Sequence, residues 1–182
     1  RPVVLFDYDP SRSGRVATRL LDGFSGYMMS DGYDGYNAAA RSASVNHLAC
    51  WTHARRRFIE AQRVQPKGKT GKADVGVNYI AKLYAIEKLL KDCSQEIRTT
   101  TRQEKSRAVL SELRAWLDKS LAGVPPQSKL GDALRYLDKY WSRLVRYTER
   151  GDLPLDNNRA ENAIRPFVIG RKNWLFADTP KG

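Results

Sequence analysis

The sequence predicts an α/β fold, a mixed sheet flanked by helices, that is interrupted by a wholly helical insertion. In residues 3–62, short apolar segments typical of strands alternate with segments whose apolar residues have helical spacing. From about residue 65 to residue 150 only the helical spacing remains. We therefore divide the chain into a first part of the core (1–62), a helical insertion (63–150) and a final part of the core (151–182).

The strands are predicted at residues 3–8, 27–30 and 45–49, because these segments are apolar, contain β-branched or aromatic residues and end at turn residues. Helices are predicted between and after them, at residues 13–21, 36–43 and 52–62. Strands that alternate with helices favour a sheet in which some strands are parallel.

Three amphipathic helices are predicted in the insertion, around residues 79–90, 107–121 and 130–148. Their aromatic residues are expected to lie in a core, not in a cofactor site. A last helix is predicted to begin near Asn158, since Glu161 follows three residues later.

The composition favours a nucleic acid as partner. Lys and Arg number 32 against 20 Asp and Glu, a net charge of +12, which attracts polyanions.

No apolar run approaches the roughly 18 residues of a membrane span. Cys50 and Cys93 lie far apart, which favours a reducing cytoplasm over a disulfide framework. The chain starts at Arg1 without a methionine, which we interpret as a cut through a longer protein.

Two carboxylates are candidates for chemistry. Asp31 follows an apolar segment and precedes Gly32, so it is either a ligand-binding residue at a strand end or part of a simple turn. Glu161 lies in the first turn of a predicted helix, where it either caps that helix or takes part in catalysis.

Basic residues form two groups in the sequence. A cluster near Glu161 combines cations with an aromatic ring, a combination that suits a phosphate backbone and a stacked base; it consists of Arg159, Arg165, Arg171, Lys172 and Trp174. A second group, Arg55, Arg56 and Arg57, lies on the helix predicted at 52–62. The alternative is that these charges form solvated helix faces.

Cys50 and His53 form a Cys-x-x-His pair of open role. One such pair is half a zinc site, and no second pair follows at the required spacing, so zinc is not expected. Residues 67–70 superficially match a phosphate-binding loop, but position 63 is arginine where the motif needs glycine. No nucleotide cofactor is therefore expected.

Three separated motifs resemble the transposases of the insertion sequence 66 family. They are SDGYDGYN at residues 30–37, CWTHARRRF at 50–58 and DNNRAENAIRP at 156–166, and the likeness continues through residue 176 and includes DPSRSG at 9–14. It spans nearly the whole chain and is loosest over residues 62–110. Three long motifs in the right order are far more specific than one short pattern.

The resemblance implies a DDE transposase with an RNase H-like core, in which two aspartates and a glutamate surround two divalent metal ions. By motif position, Asp31 resembles the second aspartate and Glu161 the glutamate, with Mg²⁺ as the metal and Mn²⁺ as its substitute. Cys50 and His53 resemble the Cys-x-x-His signature of several DDE families. The 130 residues between the two carboxylates (161 − 31) fit the helical insertion.

The implied function is metal-dependent strand cleavage and strand transfer at transposon ends, by a cytoplasmic bacterial protein that binds double-stranded DNA as a homo-oligomer. Two alternatives stay open: an RNase H-like nuclease without strand transfer, and a non-catalytic DNA-binding remnant. A helical interaction module with an incidental basic surface is a third.

We predict that this sequence alone does not cleave DNA. The first aspartate of the family is expected upstream of Val3, and neither Asp7 nor Asp9 matches its motif. The measurement is a strand-cleavage assay of the purified chain with Mg²⁺ or Mn²⁺. Metal-dependent cleavage would contradict the prediction, or would show that Asp7 replaces the upstream ligand.

Overall fold

A computed structural model describes residues 3–7, 9–11, 13–41, 44–66, 68 and 70–173; for residue 39 and residues 171–173 it describes the backbone only. This part of the chain is a mixed α/β fold in which helices predominate around a small parallel sheet. No helix within it is long and apolar enough to cross a membrane.

The sheet in the described part of the chain consists of two parallel strands, β1 (Gly26–Ser30) and β2 (Val45–Ala49). Gly26 pairs with Val45 and Ser30 with Ala49, so both strands end at the same edge. Both strands were predicted. The strand predicted at 3–8 is wrong for residues 3–7, which form an exposed coil that pairs with neither β1 nor β2. Apolar composition alone does not supply the partner that a strand requires.

Helices precede and connect the strands as the sequence predicts. Helix α1 (Gly14–Leu20) begins where the Ser13 hydroxyl accepts the N–H of Arg15. Helix α2 (Tyr36–Ala39) is shorter than the predicted segment 36–43. After β2, α3 (Trp51–Arg63) begins within two residues of the strand end.

The helical region begins with α4 (Lys72–Leu89) and α5 (Gln95–Thr101). A π-helical segment, Arg102–Ser106, joins α5 to α6 (Arg107–Leu121). The single helix predicted at 130–148 is instead three pieces, namely α7 (Lys129–Lys139), α8 (Trp141–Val145) and a 3₁₀ turn (Arg146–Glu149). The break falls at Tyr140, whose hydroxyl donates to the carbonyl of Gly32. Helix α9 (Asn158–Asn173) follows.

Helix α3 lies at the centre of the core and packs against both α4 and α7. Its Trp51 and Phe58 side chains are fully buried, and the Trp51 ring N–H donates to the carbonyl of Leu144 at 2.9 Å. Gly76 on α4 permits this packing, because a Cβ there would lie 2.6 Å from the Phe58 ring. One continuous apolar cluster runs from Leu48 through these helices to Leu155, so the helical region and the strands share a single core.

A buried charge pair fixes the chain just before the last segment. Arg102 is 1 % exposed and forms two bonds to the Glu87 carboxylate, at 2.8 and 2.6 Å. Its remaining nitrogen donates to the carbonyls of Tyr147 and Arg150, at 3.0 and 2.6 Å. Breaking such a pair leaves a buried charge and unsatisfied carbonyls.

We predict that Arg102→Ala lowers the free energy of unfolding by about 3–5 kcal/mol, as measured by urea denaturation. The control is Arg135→Ala, which removes an exposed pair with Asp132 and should cost less than about 1 kcal/mol. Equal losses for the two variants would show that the buried pair does not hold this part of the fold.

Candidate active site

The ends of the two strands bring two candidate residues to one edge of the sheet. Since Ser30 pairs with Ala49 in a parallel register, the next residues, Asp31 and Cys50, leave the sheet side by side. The carboxyl ends of parallel strands are where ligands commonly bind in α/β proteins. The Asp31 side chain is exposed at this edge, whereas Cys50 is fully buried beneath it.

Asp31 begins a tight loop, residues 31–35, which we call the Asp31 loop. Its Oδ1 accepts the N–H of Tyr33 at 2.9 Å, and Gly32 between them has φ +89°, a conformation that favours glycine. The turn interpretation is therefore correct for the backbone. It does not exclude a ligand-binding role, because the carboxylate of Asp31 stays exposed.

Two residues of the helical region bond to the Asp31 loop and to α2, the short helix that follows it. The Tyr140 hydroxyl donates to the Gly32 carbonyl at 3.2 Å, and Arg143 donates to the side-chain oxygen of Asn37 at 3.1 Å. Both donors are more than 100 residues away from their acceptors in sequence. The position of Asp31 thus depends on contacts made by α7 and α8.

The first turn of α3 is bonded to the segment that leads into α9. We call this contact the junction and define it as residues 50–53 together with residues 155–158. The Cys50 thiol donates to the Asn157 side-chain oxygen at 2.9 Å, and the Asn157 N–H approaches Cys50 Sγ at 3.5 Å. The Trp51 N–H donates to the Leu155 carbonyl at 3.3 Å. Main chain and side chains therefore both join the two segments.

Asp156 anchors the junction to α4. The Tyr84 hydroxyl donates to Asp156 Oδ2 at 2.8 Å, and the Thr52 hydroxyl lies 3.3 Å from the same oxygen. Asp156 Oδ1 accepts the N–H of Asn158 at 3.1 Å. One carboxylate thus connects the start of α3, the middle of α4 and the start of α9.

The junction sets Glu161 beside His53. His53 Nε2 and Glu161 Oε1 are 3.5 Å apart, and the two side chains are 17 % and 35 % exposed. Asp156 accepts the Asn158 N–H at the start of α9, and the Glu161 carboxylate faces His53. The Glu161 carboxylate keeps enough exposure to contact a ligand, and a negative charge in the first turn suits the helix dipole.

Burial controls the protonation of groups around the junction. Burial raises the pKa of the Cys50 thiol, against the smaller lowering effect of nearby N–H groups, so the thiol keeps the proton that it donates. Burial, together with the bond to Asp156, also raises the pKa of Tyr84. His47 is buried on β2 against the Ser30 hydroxyl at 2.7 Å, and burial, helped by Arg143 and Arg146, lowers its pKa to about 4. These groups stay uncharged at neutral pH.

The side chains of Cys50 and His53 have different partners in the structure. Cys50 is directed to Asn157, whereas His53 is directed to Glu161. Within the part of the chain that the structure describes, no three His, Cys, Asp or Glu side chains are grouped closely enough to hold a metal ion.

The predicted DNA-contacting residues are placed in part. Arg55, Arg56 and Arg57 are exposed on α3, and Arg159 and Arg165 are exposed on α9. None of these five forms an ion pair with a carboxylate of the described chain, so their charges are available to a polyanion. Arg57 lies near the Asp31 loop, because its guanidinium stacks at 4.4 Å on the ring of Tyr136, which borders Gly32. Arg171 and Lys172 continue α9, but their side chains lie outside the described part, as does Trp174 entirely.

Three residues of this site were not predicted from the sequence. Asp156 belongs to a recognised motif but has no local feature that indicates its contact with α4. Tyr84 and Tyr136 belong to amphipathic stripes, which predict a core position and nothing more.

The whole chain matches a known family. A family model described as "Transposase IS66 family" covers residues 1–182. No solved structure matches the chain.

Three uncharacterized proteins of Sinorhizobium fredii are similar over the full length of the chain. They are y4hP, at 29 % identity, y4qI, at 31 %, and y4jD, at 30 %. The chain spans 35 %, 34 % and 36 % of their respective lengths, about a third of each.

We predict that Cys50→Ala loosens the first turn of α9 without unfolding the core. Loss of the thiol bond should cost about 1–2 kcal/mol, and the amides of residues 158–161 should exchange with deuterium roughly tenfold faster. Cys93→Ala is the control, since Cys93 bonds only weakly to the carbonyl of Leu89, at 3.9 Å. Unchanged exchange in the Cys50 variant would contradict a role for the thiol in holding α9.

Proposed function

The chain belongs to the IS66 family of transposases, and on this premise we propose that it forms part of a catalytic domain that cleaves and joins DNA strands with divalent metal ions. The observation that carries the proposal is the approach of two carboxylates to one edge of the sheet. Asp31 leaves β1 there, and the junction sets Glu161 next to the first turn of α3 that starts at the same edge.

We further propose that β1, β2, α3 and α9 belong to an RNase H-like core, into which residues 63–150 are inserted. The parallel pairing of β1 with β2 and the return of the chain to α3 at residues 155–158 support this arrangement. The inserted helices then have a function in the site, because they hold the Asp31 loop through Tyr140.

The donor atoms suit Mg²⁺. This ion prefers oxygen ligands and commonly binds through one or two carboxylates, with water and substrate phosphate completing its shell. Asp31 and Glu161 would supply those two carboxylates. Bound in a pair, such ions activate the attacking oxygen and stabilise the leaving oxygen of a phosphodiester.

The chain's own residues would position the DNA. Arg57, Arg159 and Arg165 are exposed cations near the two carboxylates in sequence or in space, and they would hold backbone phosphates beside them. In the reaction, water would attack phosphorus and the bond to the 3′ oxygen would break; the released 3′ hydroxyl would then attack a phosphate of the target strand, whose own 3′ oxygen leaves and takes up a proton. No covalent protein intermediate is needed. The same residues would serve a nuclease that lacks the second step.

We predict that Asp31→Asn or Glu161→Gln, each in the full-length protein, lowers cleavage of transposon-end DNA by at least about 100-fold. Both substitutions keep size and remove charge. Glu112→Gln is the control, because Glu112 is exposed on α6. The assay separates cleavage products from joined products on a gel with Mg²⁺ present.

Cleavage at the wild-type rate in both carboxylate variants would refute the proposal. Cleavage that depends on both residues without any joining would favour the nuclease. DNA binding without cleavage in the wild-type protein would favour the binding remnant.

A further inference from the structure

Tyr136 on α7 is a buried tyrosine whose hydroxyl has no hydrogen-bond partner. The residue is 7 % exposed, its oxygen is shielded from solvent, and no described residue bonds to it. A buried polar group without a partner costs roughly 1–3 kcal/mol, and most such groups in folded proteins are satisfied. A phenylalanine would fill the same space without that cost. The Tyr147 hydroxyl also lacks a described partner, and what distinguishes Tyr136 is its place beside Gly32.

The hydroxyl lies directly beside the residue that follows Asp31. A Cβ placed on Gly32 would be 3.2 Å from the Tyr136 oxygen. The neighbouring Tyr140 already satisfies the Gly32 carbonyl. The two tyrosine rings pack with centroids 4.7 Å apart. Tyr136 on α7 and Tyr140 just after it therefore present two hydroxyls to the Asp31 loop, of which one is bonded to the backbone and the other is available.

The environment keeps this hydroxyl protonated and its ring fixed. Burial raises the pKa of Tyr136 to about 12, although the adjacent Arg57 opposes the shift, and the charge of Asp31 is among the smaller contributions that raise it. The Arg57 guanidinium stacks on the ring at 4.4 Å. The group is thus a hydrogen-bond donor, held rigidly, within the electrostatic influence of a carboxylate.

We propose that Tyr136 is a positioning residue for Asp31, whose carboxylate accepts the Tyr136 O–H in place of the Tyr33 N–H when Asp31 binds a metal ion. The inference rests on the proposed function, in which Asp31 is a metal ligand. Carboxylates that bind metals are oriented by hydrogen bonds from residues behind them, and loss of such a donor typically costs about 10–100-fold in metal affinity or activity.

The test is Tyr136→Phe in the full-length protein, which removes the donor and keeps the ring under Arg57. The readout is the rate of DNA cleavage as a function of Mn²⁺ concentration. We expect the half-saturating Mn²⁺ concentration to rise about 10–100-fold, with thermal stability unchanged or raised. A purely structural tyrosine would lower stability and leave the metal dependence unchanged.

Tyr147→Phe is the matched control. Tyr147 is also a buried tyrosine whose hydroxyl lacks a described partner, but its ring lies against Arg102, which bonds to Glu87 on α4, so the Mn²⁺ dependence of its Phe variant should equal that of the wild type. The variants are compared at a temperature at which circular dichroism shows both folded, so that a loss of folding is not counted as a loss of metal affinity.

Wild-type Mn²⁺ dependence in Tyr136→Phe, with Asp31→Asn inactive, would overturn this inference and leave the proposed function standing. Normal cleavage in Asp31→Asn would instead mean that the proposed function itself has failed. A shift shared by Tyr136→Phe and Tyr147→Phe would also overturn the inference, because it would reflect a general effect of losing a buried hydroxyl.

Discussion

The contact between the first turn of α3 and residues 155–158 is the constraint on which the rest of this structure depends. It joins two segments that are about 100 residues apart in sequence, through the Cys50 thiol, the Trp51 N–H and the Asp156 carboxylate. Each bond is modest alone, about 1 kcal/mol, but together they fix the point at which α9 begins. Without these bonds, the start of α9 would not be fixed in the position that places Glu161 beside His53.

The helical region gives this contact a rigid support. Helix α3 is buried between α4 and α7, and Tyr84 on α4 binds the same carboxylate as Thr52. On the other side, Tyr140, at the break between α7 and α8, bonds to the Asp31 loop. The long segment between the two carboxylates is therefore not a passive spacer. It packs into the same core and contacts the surroundings of both candidate ligands.

Much of the local structure followed from the sequence. The bounds of β2 and α6 were predicted, because a short apolar segment and a clear amphipathic stripe each define a structure by themselves. The predictions failed where a distant partner decides the outcome. Residues 3–7 have strand composition but pair with neither described strand, and the helix predicted at 130–148 breaks at Tyr140, which bonds to Gly32.

In the candidate site, too, local motifs could be predicted from the sequence, whereas distant partners could not. Asp31 and Glu161 were identified because family motifs carry them, and motifs can be found in sequence. The partners that orient them were not found, since Tyr84 lies 72 residues from Asp156 and Cys50 lies 107 residues from Asn157. The Cys-x-x-His pair is spaced like half of a zinc site, yet only the fold shows that its two side chains have separate partners.

The most direct measurement is anomalous scattering from crystals of the full-length protein soaked in Mn²⁺, which substitutes for Mg²⁺ at oxygen ligands. We expect an anomalous peak at the edge of the sheet, within about 2.0–2.6 Å of carboxylate oxygens of both Asp31 and Glu161. A well-ordered core in which these carboxylates lie far apart, with no peak at either, would contradict it.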